Sequence, residues 1–555
     1  MIEPQVPAWE PWLQRWWAWF LIPGILVNAG ALIIPILEPD GALYATLAKT
    51  IAQSGDYINL RVGGKDWLDK PHFPFWLAAL SMRAFGINQF AYKLPALLFW
   101  GAGAWYTYRL ATAIYGRVVG QLSVLIYVSA AHLVISNNDV RAEPYLTGLV
   151  IGAVFHFYRA SRLKTGWHLV AGSLLAACAM MTKGPFVLIT IAAGFVIDWT
   201  CGRQWGQFLQ IRWLVAILLI GIFITPELYC LYLQFDRHPE KLIFGRTGVS
   251  GIRFFFWESQ FGRFFNTGPI RGNGDPFFYL HTLLWAFLPW SLLLYAAVVK
   301  KCRSLRSRHI TGDLICLGGA LVSFVIFSLS KFQLPHYLNL LFPFFSILTA
   351  SWLAGIRRRK TKWIIGLVQQ CITWVLPVLI LLLSWFFRFG GWPLIMTGAV
   401  VLAFIFFRIF RGRELTNSVA RSYWIALLTY TFINFIFYPA MLDYQAGTKA
   451  GGFVGGTGDT AVYMLSEAPR NYSFEFSSPL PVRQISADSL HVLTWNGPVL
   501  MFLPAINADS LPGKGYRVEV LKRLPNFHIS QLTAGFIDYR TRAQYVDWVE
   551  VVRIF

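Results

Sequence analysis

The chain has 555 residues, of which 56% are hydrophobic, 17% aromatic and only 14% charged. This composition is too apolar for an ordinary soluble protein. The formal net charge of +21 could indicate nucleic acid binding, but the excess of Lys and Arg lies in short connections between apolar segments, where it is typical of the cytoplasmic side of a membrane protein. We therefore interpret the chain as a polytopic protein of the lipid bilayer and exclude nucleic acid as a partner.

Apolar segments follow one another from the N-terminus to residue 439. Thirteen of them, give or take one, are long enough for one crossing each, and they begin near Trp16, Phe90, Val118, Glu143, His168, Gly184, Trp213, Pro276, Gly312, His336, Trp363, Pro393 and Trp424. With the N-terminus inside, the basic connections 159–164, 300–308, 357–362 and 408–421 lie on the cytoplasmic side, as the positive-inside rule requires. The first segment has no small-residue cleavage site, so we expect it to be retained rather than removed as a signal peptide.

The composition and the hydrophobic pattern of the sequence change at residue 440. A glycine-rich stretch is followed by short β-favouring runs that Pro, Asn and Gly separate. These runs are 472–476, 481–486, 491–495, 498–503, 516–521 and 545–555, whereas 461–468 is typical of a helix. We therefore predict an all-α membrane domain over 1–439 and a soluble, mixed α/β domain over 440–555, which thirteen crossings would place outside.

Ionisable residues collect in the predicted outer connections, chiefly 36–90, 136–142 and 236–280. Such groups are costly beside a bilayer and therefore indicate function. A solvated loop charge is the alternative for any single residue, such as Lys183 or Lys331. Five outer connections carry such residues, however, and outer loops have no topological need for lysine. We expect these connections to converge on one site.

The spacing of these residues resembles a known pattern. Asp40 is followed by Tyr44-Ala45, then by Ser-Gly-Asp at 54–56 and Lys-Pro at 70–71, and a late Lys331 is followed by Tyr337 and Pro343. The pattern resembles the bacterial glycosyltransferases that take sugars from polyprenyl phosphates, in the superfamily of the protein O-mannosyltransferases. Within it, the lipid A 4-amino-4-deoxy-L-arabinose transferases are the most similar family. The resemblance implies a C-type glycosyltransferase fold, with outer loops that form short interfacial helices over the active site.

The resemblance also implies roles for individual residues. Asp40 matches the family's proposed catalytic carboxylate, and Lys70 matches the lysine that contacts the carrier phosphate. Glu143 matches a second acid, and Asp139 is expected one turn earlier on the same helix face. Further candidates are Arg263, Arg253 and Lys183 for the donor phosphate, and Tyr44, Glu258, Lys331 and Tyr337 for substrate binding. The chain departs from the family at Gly41, Leu43 and His72, where many relatives have Glu, Arg and Pro, so Arg263, Arg253 or Lys183 would supply the missing positive charge.

A divalent metal is a further hypothesis. Asp40, His72 and Glu258 are hard or borderline ligands on loops that could converge. The sequence has no short ligand spacing such as His-Glu-x-x-His, so ordinary polar contacts are the alternative. No other cofactor is indicated.

These observations predict the transfer of 4-amino-4-deoxy-L-arabinose from undecaprenyl phosphate to a lipid A phosphate. The donor is already activated and resides in the membrane, which agrees with the absence of a convincing nucleotide-binding motif. We expect a multi-pass protein of the bacterial inner membrane, with its active site and C-terminal domain in the periplasm. Alternatives are a protein O-mannosyltransferase, a secondary transporter of lipid or sugar, which would place its charges near mid-membrane, and an assembly protein.

Overall fold

The structure, a computed structural model, describes residues 9–163, 166–268, 271–306, 314–412, 414–494 and 497–555. Several positions named in the predictions lie outside the described residues: Lys164, 269–270, 307–308, Gly312, Arg413 and Trp495.

Most of the chain is helical, and each of the thirteen predicted apolar segments contains a helix. The first helices are α1 (Trp9–Ala29), α2 (Asp40–Ser54), α3 (Phe73–Phe85), α4 (Gln89–Tyr115), α5 (Arg117–Val128), α6 (Ala131–Asn138), α7 (Glu143–Arg162), α8 (Gly166–Lys183) and α9 (Val187–Cys201). They are followed by α10 (Ile211–Phe223), α11 (Thr225–Leu231), α12 (Gly251–Arg253), α13 (Phe278–Ala286), α14 (Ser291–Arg306), α15 (Ile315–Leu329), α16 (Phe342–Ala354), α17 (Arg359–Phe387), α18 (Trp392–Ile409) and α19 (Leu415–Phe432). Turns of π-helix extend α11 (Tyr232–Asp236), α12 (Phe254–Gly262) and α19 (Ile433–Phe437).

The described residues contain fewer candidate membrane crossings than the thirteen predicted. Six stretches of the described residues are long and apolar enough to cross: Trp9–Ile33, Ile211–Asp236, Pro335–Ala354, Arg359–Phe387, Trp392–Ile409 and Leu415–Leu442. Helices α5 and α6 make a seventh if they form one span bent by 51°. Helices α9 and α15 are apolar but have 15 residues each, and at about 1.5 Å per residue they fall short of a hydrocarbon core of about 30 Å. The chain is a multi-pass membrane protein, but thirteen spans are not confirmed.

Helix α7 lies at the centre of the bundle, packed between α4 and α8. All of its residues from 143 to 158 are buried. At Gly148 the backbones of α4 and α7 approach so closely that a Cβ would lie 2.2 Å from the carbonyl oxygen of Phe99. Glu143, in the first turn of α7, is therefore carried by a largely buried helix and has little freedom to move.

The predicted outer connection 36–90 is largely structured. It contains α2, α3 and a two-stranded antiparallel hairpin of β1 (Arg61–Val62) and β2 (Lys65–Asp66). Helix α2 begins at Asp40, where the carboxylate complements the partial positive charge of a helix N-terminus. It ends at Gly55, whose φ of 73° is the left-handed conformation that glycine adopts at low cost. The prediction of short helices in this connection is confirmed.

Asp139 and Glu143 do not share a helix face, and this prediction is wrong. Helix α6 ends at Asn138, the next four residues are not helical, and α7 begins at Glu143. Pro144 has no backbone N–H to donate to residue 140, so a helix running through this stretch would lack that hydrogen bond, and a break is favoured here. Proline is instead well placed in the first turn of α7.

The C-terminal region forms a five-stranded mixed sheet with the order β4-β3-β5-β7-β6. Its strands are β3 (Val462–Leu465), β4 (Val482–Ile485), β5 (Val499–Pro504), β6 (Val518–Asn526) and β7 (Asp547–Ile554). Strand β3 runs parallel to β4 and β5, whereas β7 is antiparallel to β5 and β6. The accompanying helices are α20 (Tyr438–Leu442), α21 (Ala446–Val454), α22 (Tyr472–Ser477), α23 (Leu490–Thr494), α24 (Ala505–Ser510) and α25 (Ala534–Ile537).

The strands predicted at 481–486, 498–503, 516–521 and 545–555 are confirmed, but three other predictions here are wrong. The run 472–476 is helix α22, because the side chain of Asn471 accepts the N–H of Phe474 and caps a helix. The run 491–495 overlaps helix α23. The segment 461–468 contains strand β3, which lies between two neighbouring strands and therefore lacks the alternation of an exposed strand.

Candidate active site

Two carboxylates and one guanidinium form the acid cluster, defined as Asp40, Asp139 and Arg141. The Nη1 atom of Arg141 lies 2.6 Å from Oδ2 of Asp40, and its Nη2 atom lies 2.7 Å from Oδ2 of Asp139. Helix α2 brings the first acid and the α6–α7 link brings the other two residues. The side chain of Asp40 is 39% exposed, against 21% for Asp139 and 17% for Arg141. Asp40 is therefore the acid of this cluster that a substrate can reach most easily.

Asp139 is the more enclosed acid. Burial raises the pKa of its carboxyl, and Arg141 only partly counteracts this. Its Oδ1 atom is buried without a hydrogen-bond partner among the described residues. Gly41 leaves the space for that oxygen, since a Cβ at this position would lie 2.7 Å from it. The glycine that departs from the family pattern is thus in contact with one of the predicted acids.

Glu143 forms a buried ion pair with Lys183 at the point where α7 begins and α8 ends. Oε1 of Glu143 accepts from Nζ of Lys183, and the two side chains are 2% and 8% exposed. Nε2 of His336 lies 3.7 Å from the same oxygen, and Nζ of Lys183 lies 3.8 Å from the ring centroid of Tyr337. Oε2 of Glu143 is buried and has no hydrogen-bond partner in the part of the chain that the structure describes. The pair therefore keeps one acceptor free.

A second group, the basic cluster, consists of Asp69, Lys70 and Arg263. Nζ of Lys70 lies 2.5 Å from Oδ2 of Asp69, and Arg263 pairs with the other oxygen of the same carboxylate. Burial alone would raise the pKa of Asp69, but the charges of Lys70 and Arg263 hold it below its usual value. Two cations on one carboxylate leave an excess positive charge, which suits an anion such as a phosphate.

An apolar cavity of about 420 Å³ adjoins the basic cluster. Its lining is mostly aromatic and aliphatic, with Lys183, Arg263 and Tyr337 among the polar members; the others include Phe186, Ile189, Phe256, Phe261, Phe264, Phe265, Ile326, Phe327 and Phe332. A smaller cavity shares Lys183 and Arg263 with it and also reaches Asp69 and Lys70. A third, narrow cavity is lined by Lys70 of the basic cluster, by Arg141 of the acid cluster and by Tyr44. Through these shared lining residues, the apolar cavity leads to the basic cluster, and the basic cluster leads to the acid cluster.

Three predicted site residues lie elsewhere. The side chain of Arg253 is 74% exposed and its Nε lies 3.7 Å from Oε1 of Glu258. The side chain of Lys331 is also exposed, and its backbone N–H donates to the carbonyl oxygen of Phe264. In the described ranges, no ion pair joins Arg253, Glu258 or Lys331 to the acid cluster or the basic cluster; the one ion pair of Arg253 is with Glu258.

His72 is occupied by other contacts. Nδ1 lies 3.0 Å from Oε1 of Glu227, and Nε2 lies 2.9 Å from the carbonyl oxygen of Ile58. Burial is the largest influence on the pKa of His72 and lowers it, but the charge of Glu227 and the hydrogen bonds to Glu227 and Ile58 together raise the pKa above its usual value. Among the residues with described positions, no three His, Cys, Asp or Glu side chains are grouped so that they could hold a metal ion. The structure therefore does not assemble Asp40, His72 and Glu258 into one site.

Sequence reasoning missed residues that the structure places at the centre of the site. Arg141 joins both acids of the acid cluster, and Asp69 holds both cations of the basic cluster. Glu227, which fixes His72, was also missed. The signal for Arg141 was present, since it lies two residues from Asp139 and two from Glu143. A positively charged side chain close to a membrane needs negatively charged partners, and the acids on either side of Arg141 in the sequence indicated where to look for them.

Part of the chain matches a known family, and longer parts match individual proteins. The model of the dolichyl-phosphate-mannose-protein mannosyltransferase family matches residues 69–229. The chain is 27% identical over 428 residues to the undecaprenyl phosphate-alpha-4-amino-4-deoxy-L-arabinose arabinosyl transferase of Edwardsiella ictaluri (strain 93-146), a match that covers 73% of each protein. It is 26% identical over 343 residues to the corresponding transferase 1 of Pseudomonas fluorescens (strain Pf0-1), covering 59% of this chain and 56% of that protein.

The fold is similar to a crystal structure of ArnT from Cupriavidus metallidurans bound to undecaprenyl phosphate. The TM-score is 0.72 at 18% sequence identity, and the similarity covers 97% of this chain and 98% of that chain. The helical bundle and the C-terminal sheet region therefore both belong to the shared fold. The resemblance that the sequence indicated is confirmed.

Proposed function

We propose that this chain, a membrane glycosyltransferase similar to those that use polyprenyl-phosphate sugars, transfers 4-amino-4-deoxy-L-arabinose from undecaprenyl phosphate to a phosphate of lipid A. The order of apolar cavity, basic cluster and acid cluster carries this proposal, because it matches the order of tail, phosphate and sugar in such a donor. The names of the relatives supply the sugar, and the reaction would take place at the periplasmic face of the inner membrane.

The donor would lie with its hydrocarbon tail in the apolar cavity. Its phosphate would meet Lys70, Arg263 and Lys183, which line the smaller cavity. Charge-assisted contacts of this kind are the strongest that a protein offers a phosphate. Tyr337 would lie beside the phosphate, because its ring is in contact with Lys183. Arg253 is left out of this phosphate site because it is exposed and pairs with Glu258.

The sugar would lie over the acid cluster. A phosphate oxygen of lipid A attacks the anomeric carbon, the bond from that carbon to the carrier phosphate breaks, and the electron pair leaves with the carrier. Positive charge develops on the sugar during this step. Asp40, the most exposed acid of the cluster, stabilises that charge. The acceptor phosphate is already ionised at neutral pH, so its attack requires no general base.

The free carboxylate oxygens supply further contacts to the sugar. Oδ1 of Asp139 and Oε2 of Glu143 are buried acceptors without partners among the described residues. A buried acceptor that stays unpaired costs about 1 to 3 kcal/mol, so a sugar hydroxyl or ammonium group that donated to it would recover that cost. Tyr44 lines the narrow cavity between the two clusters and would contact the same sugar.

Protein O-mannosylation is the second candidate, favoured by the family match over residues 69–229. A serine or threonine hydroxyl loses a proton as it attacks, so Asp40 would then act as general base. The two candidates use the same acid but differ in acceptor and sugar.

Transfer by the purified protein in lipid nanodiscs separates these candidates. Undecaprenyl phosphate carrying labelled aminoarabinose is supplied with lipid A, and polyprenyl-phosphate mannose is supplied with a serine- and threonine-rich peptide. We expect label on lipid A with the first pair and none on the peptide with the second. Label on the peptide alone would replace the proposal with protein mannosylation, and transfer to neither acceptor would reject both. Restored polymyxin resistance in a strain that lacks its own transferase is the expected result in cells.

A further inference from the structure

A buried lysine of α2 holds the end of a helix that lies more than 400 residues away in the sequence. Nζ of Lys49 donates to the carbonyl oxygens of Glu475 at 2.7 Å, Phe476 at 3.0 Å and Ser478 at 2.6 Å. The residue is 8% exposed. These carbonyls belong to the last turn of α22 and the residue after it, where a helix has no internal donors and carries partial negative charge. Lys49 therefore caps the C-terminal end of α22.

The other end of α22 is held by the same connection. Oε1 of Glu38 accepts the backbone N–H of Ser473 at 2.7 Å, in the first turn of the helix. The hydroxyl of Thr46 donates to the carbonyl oxygen of Tyr472 at 3.2 Å. An acid meets the positive end of α22 and a lysine meets its negative end, so each charge complements the helix dipole.

A side-chain amide fixes the backbone between α1 and α2. Nε2 of Gln445 donates to the carbonyl oxygen of Ile36 at 2.8 Å, and Oε1 of Gln445 accepts the N–H of Glu38 at 3.0 Å. Gln445 is 2% exposed and precedes α21 directly. Ile36 and Glu38, four and two residues before Asp40, are thus bonded to the C-terminal region, and Glu38 is bonded through both its backbone and its side chain.

Helix α22 is firmly part of the C-terminal sheet region. The ring of Phe474 is fully buried and stacks on Phe502 of β5, with ring centroids 4.2 Å apart and an interplanar angle of 11°. Arg470 pairs with Glu475 of α22 at 2.6 Å and also donates to Gln484 of β4. Because α22 is fixed to the sheet, the residues of α2 and of the segment before it that bond to α22 are fixed to the sheet as well.

We propose that the C-terminal sheet region positions Asp40, with α22 acting as a brace that fixes α2 and the residues before it. Asp40 lies two residues after Glu38 and begins the helix that contains Lys49. Glu38 and Lys49 are positioning residues, because neither contacts the acid cluster. The inference rests on the proposed function, in which Asp40 faces the sugar. Release of the brace lets Asp40 move against Arg141, whereas the basic cluster keeps its own contacts.

The first test is Lys49→Met, which keeps the length of the side chain and removes its donors. We expect kcat to fall about 10- to 100-fold, since small displacements of a catalytic group have effects of this size. KM for the lipid-linked sugar and the Kd for undecaprenyl phosphate should stay within about twofold, because Lys70 and Arg263 lie outside the brace. Lys449→Met is the matched control: its lysine lies in the C-terminal region, is about half exposed and pairs with exposed Asp443, so all constants should match the wild type. An unchanged kcat for Lys49→Met would overturn the proposal, as would an equal loss of carrier binding.

The second test does not depend on the reaction. Amide hydrogen exchange over 36–54 should be faster in Lys49→Met than in the wild type, with exchange over 143–158 unchanged. Glu38→Ala should show the same pattern, whereas Glu38→Gln, which keeps an acceptor for Ser473, should not. Equal exchange over 36–54 in all four proteins would reject the brace. If the wild type transfers nothing while the exchange pattern is as expected, the proposed function fails and the brace remains.

Discussion

Asp40 and Asp139 share one guanidinium but differ in their surroundings. Arg141 lies within 2.7 Å of both carboxylates, yet Asp40 is about twice as exposed as Asp139. An exposed acid is accessible to a ligand, and an enclosed acid holds its neighbour in place. Under the proposed function, Asp40 meets the reacting sugar, whereas Asp139 holds Arg141 with one carboxylate oxygen and leaves the other for the sugar.

Asp40→Asn should abolish most of the transfer without unfolding the protein. The amide has the shape of the carboxylate but no negative charge, and loss of one electrostatic contact to the transition state costs about 100- to 1,000-fold in kcat. Single-turnover transfer from the labelled donor measures the effect. Asp443→Asn, at an exposed acid of the C-terminal region, is the control. Near-normal turnover by Asp40→Asn would remove Asp40 from the mechanism.

Lys70→Ala should weaken binding of undecaprenyl phosphate about 10- to 100-fold, because a charge-assisted contact to phosphate contributes about 1.5 to 3 kcal/mol. Loss of Lys70 also leaves Asp69 paired with Arg263 alone, so Arg263 is less available to the phosphate. Lys65→Ala, at an exposed lysine of the same connection, should bind as the wild type does. A binding isotherm in detergent gives the comparison, and equal affinity for both variants would transfer the role to Arg263 and Lys183.

At the scale of helices, the site depends on the close packing of α4 against α7. This contact fixes the start of α7, where Glu143 pairs with Lys183 across the end of α8. Ion pairs in such enclosed places require good geometry, because their desolvation is costly. Gly148 permits the close α4–α7 contact and so helps to position the helix that carries Glu143.

Gly148→Ala should destabilise the protein by about 1 to 3 kcal/mol, the usual cost of overpacking a tight core. The added methyl group would lie 2.2 Å from the carbonyl oxygen of Phe99, and that oxygen belongs to the backbone and cannot rotate away. Gly101→Ala in α4 is the matched control, since nothing lies within 4 Å of a Cβ there. Thermal unfolding in detergent should show a lower midpoint for Gly148→Ala only. A midpoint unchanged in both variants would show that α4 and α7 can separate at little cost.

At the scale of the whole molecule, the proposed orientation in the membrane rests on the positions of the basic connections. We predict that a cysteine in place of Lys514 reacts with a membrane-impermeant thiol reagent in spheroplasts, and that one in place of Arg359 reacts only after lysis. Both positions are exposed, so accessibility within the protein does not decide the result. The six native cysteines are replaced first. Labelling of Arg359→Cys in intact spheroplasts would reverse the assigned orientation.

The resemblance predicted much of the fold, and local motifs predicted part of the site. A pattern of acids and lysines in the outer connections was enough to select four of the candidate residues, because their charge is evident from the residue type alone. These residues are Asp40, Lys70, Glu143 and Lys183. Arg141 was missed because its partners, Asp40 and Asp139, were considered only as catalytic acids and not as partners of a cation. The predicted shared helix face for Asp139 and Glu143 failed because Pro144 starts a helix at that point.

Lys49 could not have been found from the sequence. It bonds to three backbone carbonyl groups, which every residue possesses, and these lie 426 to 429 residues away. Helix α22 was predicted as a strand because its aromatic residues alternate, whereas its capping by Asn471 and its contacts at both ends decide the fold. The contacts between the C-terminal region and the outer connection 36–90 can be seen only in the three-dimensional structure.

The wall of the apolar cavity includes large apolar side chains that are exposed, among them Ile189 at 44%, Phe261 at 43% and Phe265 at 62%. A carrier with a long hydrocarbon tail would reach such a cavity sideways, by diffusion in the plane of the bilayer. The concentration that the enzyme experiences is then a number of carriers per unit area of membrane. Adding plain lipid to proteoliposomes should slow turnover by surface dilution, even when the amounts of enzyme and carrier in the tube stay constant. A Michaelis constant for this substrate is therefore a mole fraction, and rates from samples of different lipid content become comparable only on that scale.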